Sequence, residues 1–338
     1  MADGFDPQAP LVMDGLQYCN WSRAIFEEMR DGGVDVVHAT IAYHETFRET
    51  VDRIIAWDRR FADNADLIVK ASSLADIATA RQGGRTAILL GVQNPSPIEA
   101  DLGLVSILYD LGLRFMQLTY NNQSLLGTGW QESYDGGLTR MGREVVREMN
   151  RLGMVIDMSH AGEATTLDAI EASDAPVAVT HANPRWWRDT ARNVSDRVID
   201  ALAANDGMLG LSLYPHHLAG GSACTLEAFC AMAARLAGQI GVDRIGIGSD
   251  LCQGHDDSVI RWMRNGRWTL ASADNPNGPA VRPAQPAWFS SNRDFPGVRA
   301  GLLQAGFSPT EADGIMGGNW VRLMQRVFRG EESSGASP

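Results

Sequence analysis

Eight short, almost wholly apolar runs constrain the fold of this chain more than any other feature. They are LVMD (11–14), VDVVHATI (34–41), TAILLGVQ (86–93), RFMQLTY (114–120), MVIDMSH (154–160), PVAVTH (176–181), GMLGLSLY (207–214) and RIGIGSD (244–250). Runs this apolar suit strands buried on both faces, as in a parallel sheet covered by helices. Between them lie longer amphipathic stretches. In LTRMGREVVREMNRLG (138–153), Met141, Val145, Met149 and Leu152 recur at helical spacing. Eight strand–helix units in 338 residues predict an α/β fold of the (β/α)8 TIM-barrel type. The expected organisation is one domain over residues 1–330, followed by a disordered tail at 331–338.

The polar residues cluster at one end of these runs. Gln93, Tyr120, His160, His181, Tyr214 and Asp250 each close a strand candidate. The C-terminal end of the strands is where barrels of this type carry their sites. The Pro- and Asn-rich stretch 271–296 reads as a long irregular loop over that rim.

Composition removes several classes of function. The net charge of −12 and pI near 5.0 argue against a nucleic-acid partner. Lys70 is the only lysine, which argues against Schiff-base chemistry and a carbamylated-lysine metal bridge unless Lys70 itself serves. Four cysteines lack CxxC spacing and read as buried thiols. MADGFDPQAP has neither a basic nor an apolar leader region, and no run spans a bilayer, so the expected location is cytoplasmic with no membrane contact.

His160 and His181 end neighbouring strand candidates and can converge on one divalent ion. A single histidine at a strand end would more simply cap its own strand, but two at matched ends, with Asp250 at a third, favour metal. Asp250 can take a proton from water or ligate the ion. Arg192 can clamp a carboxylate in bidentate fashion, and Tyr120 and Tyr214 can donate phenolic hydrogen bonds. His44, His216 and His217 read as polar groups at the rim rather than ligands.

The first strand raises a separate question. Asp14-Gly15 is followed by Leu16 and Tyr18, where a barrel metallohydrolase often has a His-x-Asp pair. The motifs DG (14–15), GVQ (91–93), LGLRFMQLT (111–119), REMNRLGMVIDMSH (147–160), TH (180–181), RNVSD (192–196), IGIGSD (245–250) and GGNWVRL (317–323) resemble those of the renal (membrane) dipeptidase family. That family comprises zinc peptidases on an amidohydrolase-like barrel. The resemblance runs from about Val12 to Val327. It implies two metal-binding histidines at His160 and His181, an acidic proton shuttle at Asp250, a substrate arginine at Arg192 and a substrate tyrosine at Tyr214. The family's first-strand His and Asp fall on Leu16 and Tyr18, its bridging Glu on Gln93 and a substrate-facing His on Tyr120. Two adjacent dications need anionic ligands, so the expectation is a single zinc ion on His160 and His181, with Gln93 as a further neutral donor. The expected function is hydrolysis of a small amide: a dipeptide or a related N-acyl or cyclic amide. The alternative is a metal-free barrel that binds a small amino-acid-like ligand. It would follow if Leu16, Tyr18 and Gln93 mark a dead site; the chain also resembles a bacterial dipeptidase-like subgroup with the same DGL and QN substitutions, which implies a specialised role associated with small N-methylated amine metabolism. A homodimer is the assembly that the resemblance implies.

Overall fold

Nine parallel strands form the sheet in a computed structural model that describes residues 10–267 and 283–328. They are β1 (Met13–Gln17), β2 (Val36–Ala42), β3 (Ile68–Ala71), β4 (Thr86–Val92), β5 (Leu113–Gln117), β6 (Val155–Asp157), β7 (Ala178–Ala182), β8 (Met208–Leu211) and β9 (Ile245–Ile247). Eight of them follow one another around a barrel, in the order β1-β2-β4-β5-β6-β7-β8-β9. The ring closes between β1 and the segment after β9, where the Tyr18 and Asp250 backbone N–H groups donate to Leu251 O (3.0 Å) and Leu16 O (3.1 Å). The (β/α)8 expectation therefore holds.

The ninth strand, β3, pairs only with β4, with Ile68 opposite Thr86 and Lys70 opposite Ile88. Nothing in the sequence announced it, because it is four residues long and Lys70 interrupts its apolar run. Lys70 donates from Nζ to Leu111 O at 2.7 Å, just before β5 begins. The only lysine thus lies at the N-terminal end of the barrel, away from the strand ends that carry the polar residues.

Alternation within the strands builds two cores. Met13, Val36, Leu89, Phe115, Val155, Ala178 and Met208 form the inner cluster with Trp320, and Val37, Ile88, Met116, Ile156 and Leu209 pack outward under the helices. The Trp320 indole donates to Ile247 O at 2.9 Å and lies flat on backbone. A Cβ at Gly246 would stand 2.5 Å from its ring nitrogen, and one at Gly210 would stand 2.8 Å from its ring carbon, so both positions need glycine. The amphipathic run read at 138–153 forms the helix Arg140–Leu152, capped by the Thr139 side chain and ended by left-handed Gly153.

Two expectations need revision or fall outside the described residues. Five of the strands, β4, β5, β6, β8 and β9, stop short of the end of their apolar runs. Gln93, Tyr120, His160, Tyr214 and Asp250 lie one to three residues beyond the last paired position, and only His181 is inside a strand. Beyond the ladders, side chains such as Asp14, Asp157 and Ser212 take the backbone N–H groups instead. The tail at 331–338 and residues 271–282 of the expected rim loop lie outside the described residues. The described remainder of that loop packs onto the barrel wall: Phe289 is buried against Phe295, and Trp288 donates to Cys224 O at 2.7 Å. No disulfide joins the four cysteines, all of which are buried.

Candidate metal centre and substrate pocket

The site is assembled from the buried carboxylate of Asp157 outward. Asp157 ends β6 and accepts from Gln117 Nε2 (2.8 Å), the Ser159 N–H (3.0 Å) and hydroxyl (2.5 Å), and the Thr180 N–H (3.0 Å) and hydroxyl (2.6 Å). A carboxylate only accepts, so the Thr180 hydroxyl donates to it and keeps a lone pair for its other neighbour, His181 Nδ1, at 2.7 Å. That fixes the proton of His181 on Nδ1. On the opposite side His160 Nδ1 meets Asn121 Oδ1 at 2.9 Å. The amide of Asn121 is itself oriented: Oδ1 also accepts from Trp130 Nε1 (2.8 Å), and Nδ2 donates to Arg264 O (2.8 Å). The proton of His160 is therefore on Nδ1 as well.

Both rings consequently present an Nε2 lone pair, and the two Nε2 atoms face each other 3.0 Å apart. Burial holds both imidazoles well below their ordinary pKa, and the positive charge of Arg192 lowers them further. Neither ring therefore carries a second proton at neutral pH to bridge the gap. Two unshared lone pairs at this separation repel unless a cation lies between them, and neutral imidazole nitrogens held by second-sphere partners are the usual ligands of zinc. The donor set fits a divalent ion. Among the described residues, no group of three or more His, Cys, Asp or Glu side chains is placed to hold a metal ion, so any ion here would rest on the two imidazoles and neutral donors.

Leu16 is fully buried, and Tyr18 meets the Tyr43 ring edge-on at 6.3 Å. Gln93 donates from Nε2 to Thr40 Oγ1 at 2.8 Å and to Tyr43 Oη at 3.5 Å, leaving Oε1 as its free-turning acceptor. Among the described residues Gln93 has no hydrogen bond to either imidazole. It reaches the pocket through Tyr43, whose ring meets Tyr120 edge-on at 5.4 Å. Tyr120 in turn stacks on His160 with ring centroids 4.2 Å apart.

Asp250 is buried in the left-handed region (φ 59°). Loss of solvent pushes its carboxyl up to about 8, against the opposing pull of Arg192 and Arg264. Arg192 is buried too. Its Nη2 donates to His181 O at 2.9 Å, whereas Nε and Nη1 have no partner among the described residues. Burial lowers its pKa to about 10. Tyr214 accepts a hydrogen bond from the Arg264 guanidinium, and burial raises its phenol to about 12.

The histidines read as rim groups have partners of their own, whereas His38 lies inside the barrel, stacked on Phe115 and bonded to Gly15 O at 2.7 Å. His44 bonds Met263 O (2.9 Å) and Asn94 Nδ2 (3.2 Å), His217 bonds Ser212 Oγ (2.8 Å), and His216 meets the Tyr214 ring edge-on. Sequence reasoning missed Asn121, Asp157 and Thr180, which orient the two imidazoles. Asn121 and Thr180 adjoin residues already singled out, so a search for partners beside each histidine would have reached them. Arg264 carries no such signal, because it arrives on the helix Asp257–Asn265 after β9.

Residues 19–261 match the sequence profile of the membrane dipeptidase family, peptidase family M19. The chain is 31% identical over 291 residues to the dipeptidase verJ of Clonostachys rogersoniana, covering 85% of this chain and 67% of that one. It is 27% identical over 310 residues to the dipeptidase tcpJ of Claviceps purpurea (strain 20.1), covering 91% of this chain and 65% of that one. The chain thus spans about two thirds of the length of these fungal relatives. Among solved structures, an amidohydrolase from Pseudomonas aeruginosa superposes with a TM-score of 0.88 at 33% identity, covering 95% of this chain and 98% of that one. A metallopeptidase from Rhodobacter sphaeroides, liganded with a phosphinate mimic of the dipeptide L-Ala-D-Ala, shares the fold at a TM-score of 0.75 and 19% identity, over 94% of this chain and 99% of that one.

Proposed function

This chain belongs to the membrane dipeptidase family, and from that premise we propose that it hydrolyses a small amide, such as a dipeptide or related N-acyl compound, with one zinc ion. The observation that carries the reading is the pair of Nε2 lone pairs facing each other at 3.0 Å between two buried, neutral imidazoles. His160 and His181 would hold the ion, with Gln93 Oε1 as the further neutral donor that the family resemblance implies. When bound, zinc supplies Lewis acidity toward the amide carbonyl and toward water. The first metal position of the family, at Leu16 and Tyr18, carries no donor of that kind, which is why the reading stops at one ion.

The remaining chemistry belongs to the chain itself. Arg192 has two guanidinium nitrogens without partners among the described residues, Nε and Nη1, and a substrate carboxylate would take a charge-assisted hydrogen bond from one of them. Asp250, with its carboxyl near 8, is matched to accept a proton from water and return it to the leaving amine close to neutral pH. Tyr120 and Tyr214 keep their protons and can donate to developing negative charge.

The test is metal analysis of protein purified without added metal, beside the His181→Ala variant. The expected result is close to one equivalent of divalent ion in the wild type and none in the variant, with amide hydrolysis lost alongside. Two equivalents at the strand ends, or full metal content in the variant, would refute the single-ion assignment. Protein that never takes up metal would instead favour the binding-protein alternative.

A further inference from the structure

We propose that Arg264 is a second anion-binding residue of this pocket, and that the amide substrate carries two carboxylates, one for Arg192 and one for Arg264. This rests on the reading above, in which the pocket receives an amide whose carboxylate meets Arg192.

The helix Asp257–Asn265 lies across the aromatic wall of the pocket, with Trp262 edge-on to Tyr43 (6.5 Å) and His44 (5.3 Å). Its C-terminal carbonyls, which a helix leaves without internal partners, are taken by side chains from the barrel. His44 Nε2 bonds Met263 O (2.9 Å), Asn121 Nδ2 donates to Arg264 O (2.8 Å) and Asn122 Nδ2 donates to Asn265 O (3.2 Å). Asn121 is the residue that also fixes His160, so one amide ties the position of Arg264 to that of the imidazole pair.

The side chain of Arg264 turns inward, donates to the Tyr214 hydroxyl and places Cζ 6.0 Å from the centre of that ring. Its helical neighbours find acids nearby: Arg261 reaches Asp257 at 4.0 Å, and Arg267, just past the helix, pairs with Glu49 at 2.6 Å. Arg264 has no carboxylate partner among the described residues. The Tyr214 hydroxyl accepts from Arg264 and keeps its own proton to donate, so the two together offer a donor pair to an incoming anion. Asp250 is the acid that faces both guanidinium groups. Even with Asp157, which also acts on Arg192, two carboxyls against two guanidinium groups and a divalent ion leave the pocket positive, and a substrate with two carboxylates would balance it.

Two measurements on the zinc-loaded protein test this. In calorimetric titration, glutarate should bind at least about tenfold more tightly than butyrate. That ratio should collapse toward one in Arg264→Gln and be partly restored in Arg264→Lys. Equal binding of the two acids by the wild type, or a ratio that survives Arg264→Gln, would overturn the proposal. In hydrolysis, glycyl-glutamate should be preferred over its isostere glycyl-glutamine, or glutamyl-glycine over glutaminyl-glycine. The arm that responds reports on which side of the amide the second carboxylate lies. In that arm the kcat/KM ratio should fall toward one in Arg264→Gln, and wild-type indifference in both arms would overturn the proposal. If the wild type cleaves none of these peptides, the hydrolase reading fails while the glutarate titration still decides the role of Arg264.

Discussion

Asp250 makes the protein's stability depend on pH in a direction opposite to that of most acidic groups. A carboxyl whose pKa is 3.8 in the unfolded chain and about 8 when folded binds its proton more tightly in the folded state. Between those two values the folded form holds one proton more than the unfolded form, and stability falls by about 1.36 kcal/mol for each pH unit. From pH 5 to pH 7 this residue alone should remove about 2.7 kcal/mol. Asparagine has the same shape, does not titrate and tolerates the left-handed backbone that Asp250 adopts at φ 59°. The assay is urea unfolding of wild type and Asp250→Asn at pH 5 and pH 7, with a chelator present so that no bound ion contributes. Titration of the histidines is common to both proteins and cancels in the difference. The expected result is that the wild type loses about 2–3 kcal/mol more than the variant over this interval. Parallel losses would mean that the carboxyl is already ionised at pH 5. Its burial would then not set its proton affinity, and its role as a proton shuttle near neutrality would lose its basis.

Two further outcomes probe the imidazole pair and the lost metal position. Thr180→Val removes the hydroxyl that links Asp157 to His181 while keeping the side-chain shape, so zinc affinity should fall about 10- to 100-fold in a chelator competition, and the fold should lose about 1–3 kcal/mol because a buried carboxylate and a buried imidazole N–H each lose a partner. Combining Leu16→His, Tyr18→Asp and Gln93→Glu should yield a second equivalent of bound metal and a melting temperature that rises strongly with added zinc. A variant that folds but takes up no second ion would show that more than these three side chains closed the position.

Features of the sequence that depend on a residue's own strand were readable, and those that depend on a neighbour across the barrel were not. The eight barrel strands are apolar on both faces and announce themselves, whereas β3 is short and broken by Lys70, so only its pairing with β4 reveals it. His160 and His181 were legible because each follows an apolar run into the rim. Their tautomers were not, because these depend on Asn121 and on the Asp157–Thr180 pair, whose contacts exist only in the folded barrel. Gln93 was assigned because the family's bridging Glu falls on it, and the structure commits its amide nitrogen to Thr40 and Tyr43, which leaves the oxygen, the one amide atom able to ligate an ion, without a hydrogen bond to either imidazole. Arg264 had no local signature at all, since a helix with its charge pattern reads as an ordinary solvated face.

The substitutions at the first strand also change the charge that the substrate must match. A pair of dications held by carboxylates would bring its own anions, whereas here that side of the pocket is Leu16, Tyr18, Tyr43 and Tyr120, which carry no charge at neutral pH. Beside the imidazoles, the Asp157 carboxylate takes its hydrogen bonds from Gln117, Ser159 and Thr180 rather than from groups in the pocket. Asp14, the other deeply buried acid, is occupied by the Ser249 N–H at 2.7 Å and Gln17 Nε2 at 2.8 Å, holding β1 against the segment after β9. The charged and titratable groups that act on one another beside the imidazoles are therefore Arg192, Arg264 and Asp250. On the single-ion reading proposed above, fewer protein anions would leave that ion more electrophilic. The same deficit leaves two guanidinium groups waiting for charge that only a ligand can bring. Loss of the first metal position and selection of an acidic substrate are, on this view, two consequences of one change in the wall of the barrel mouth.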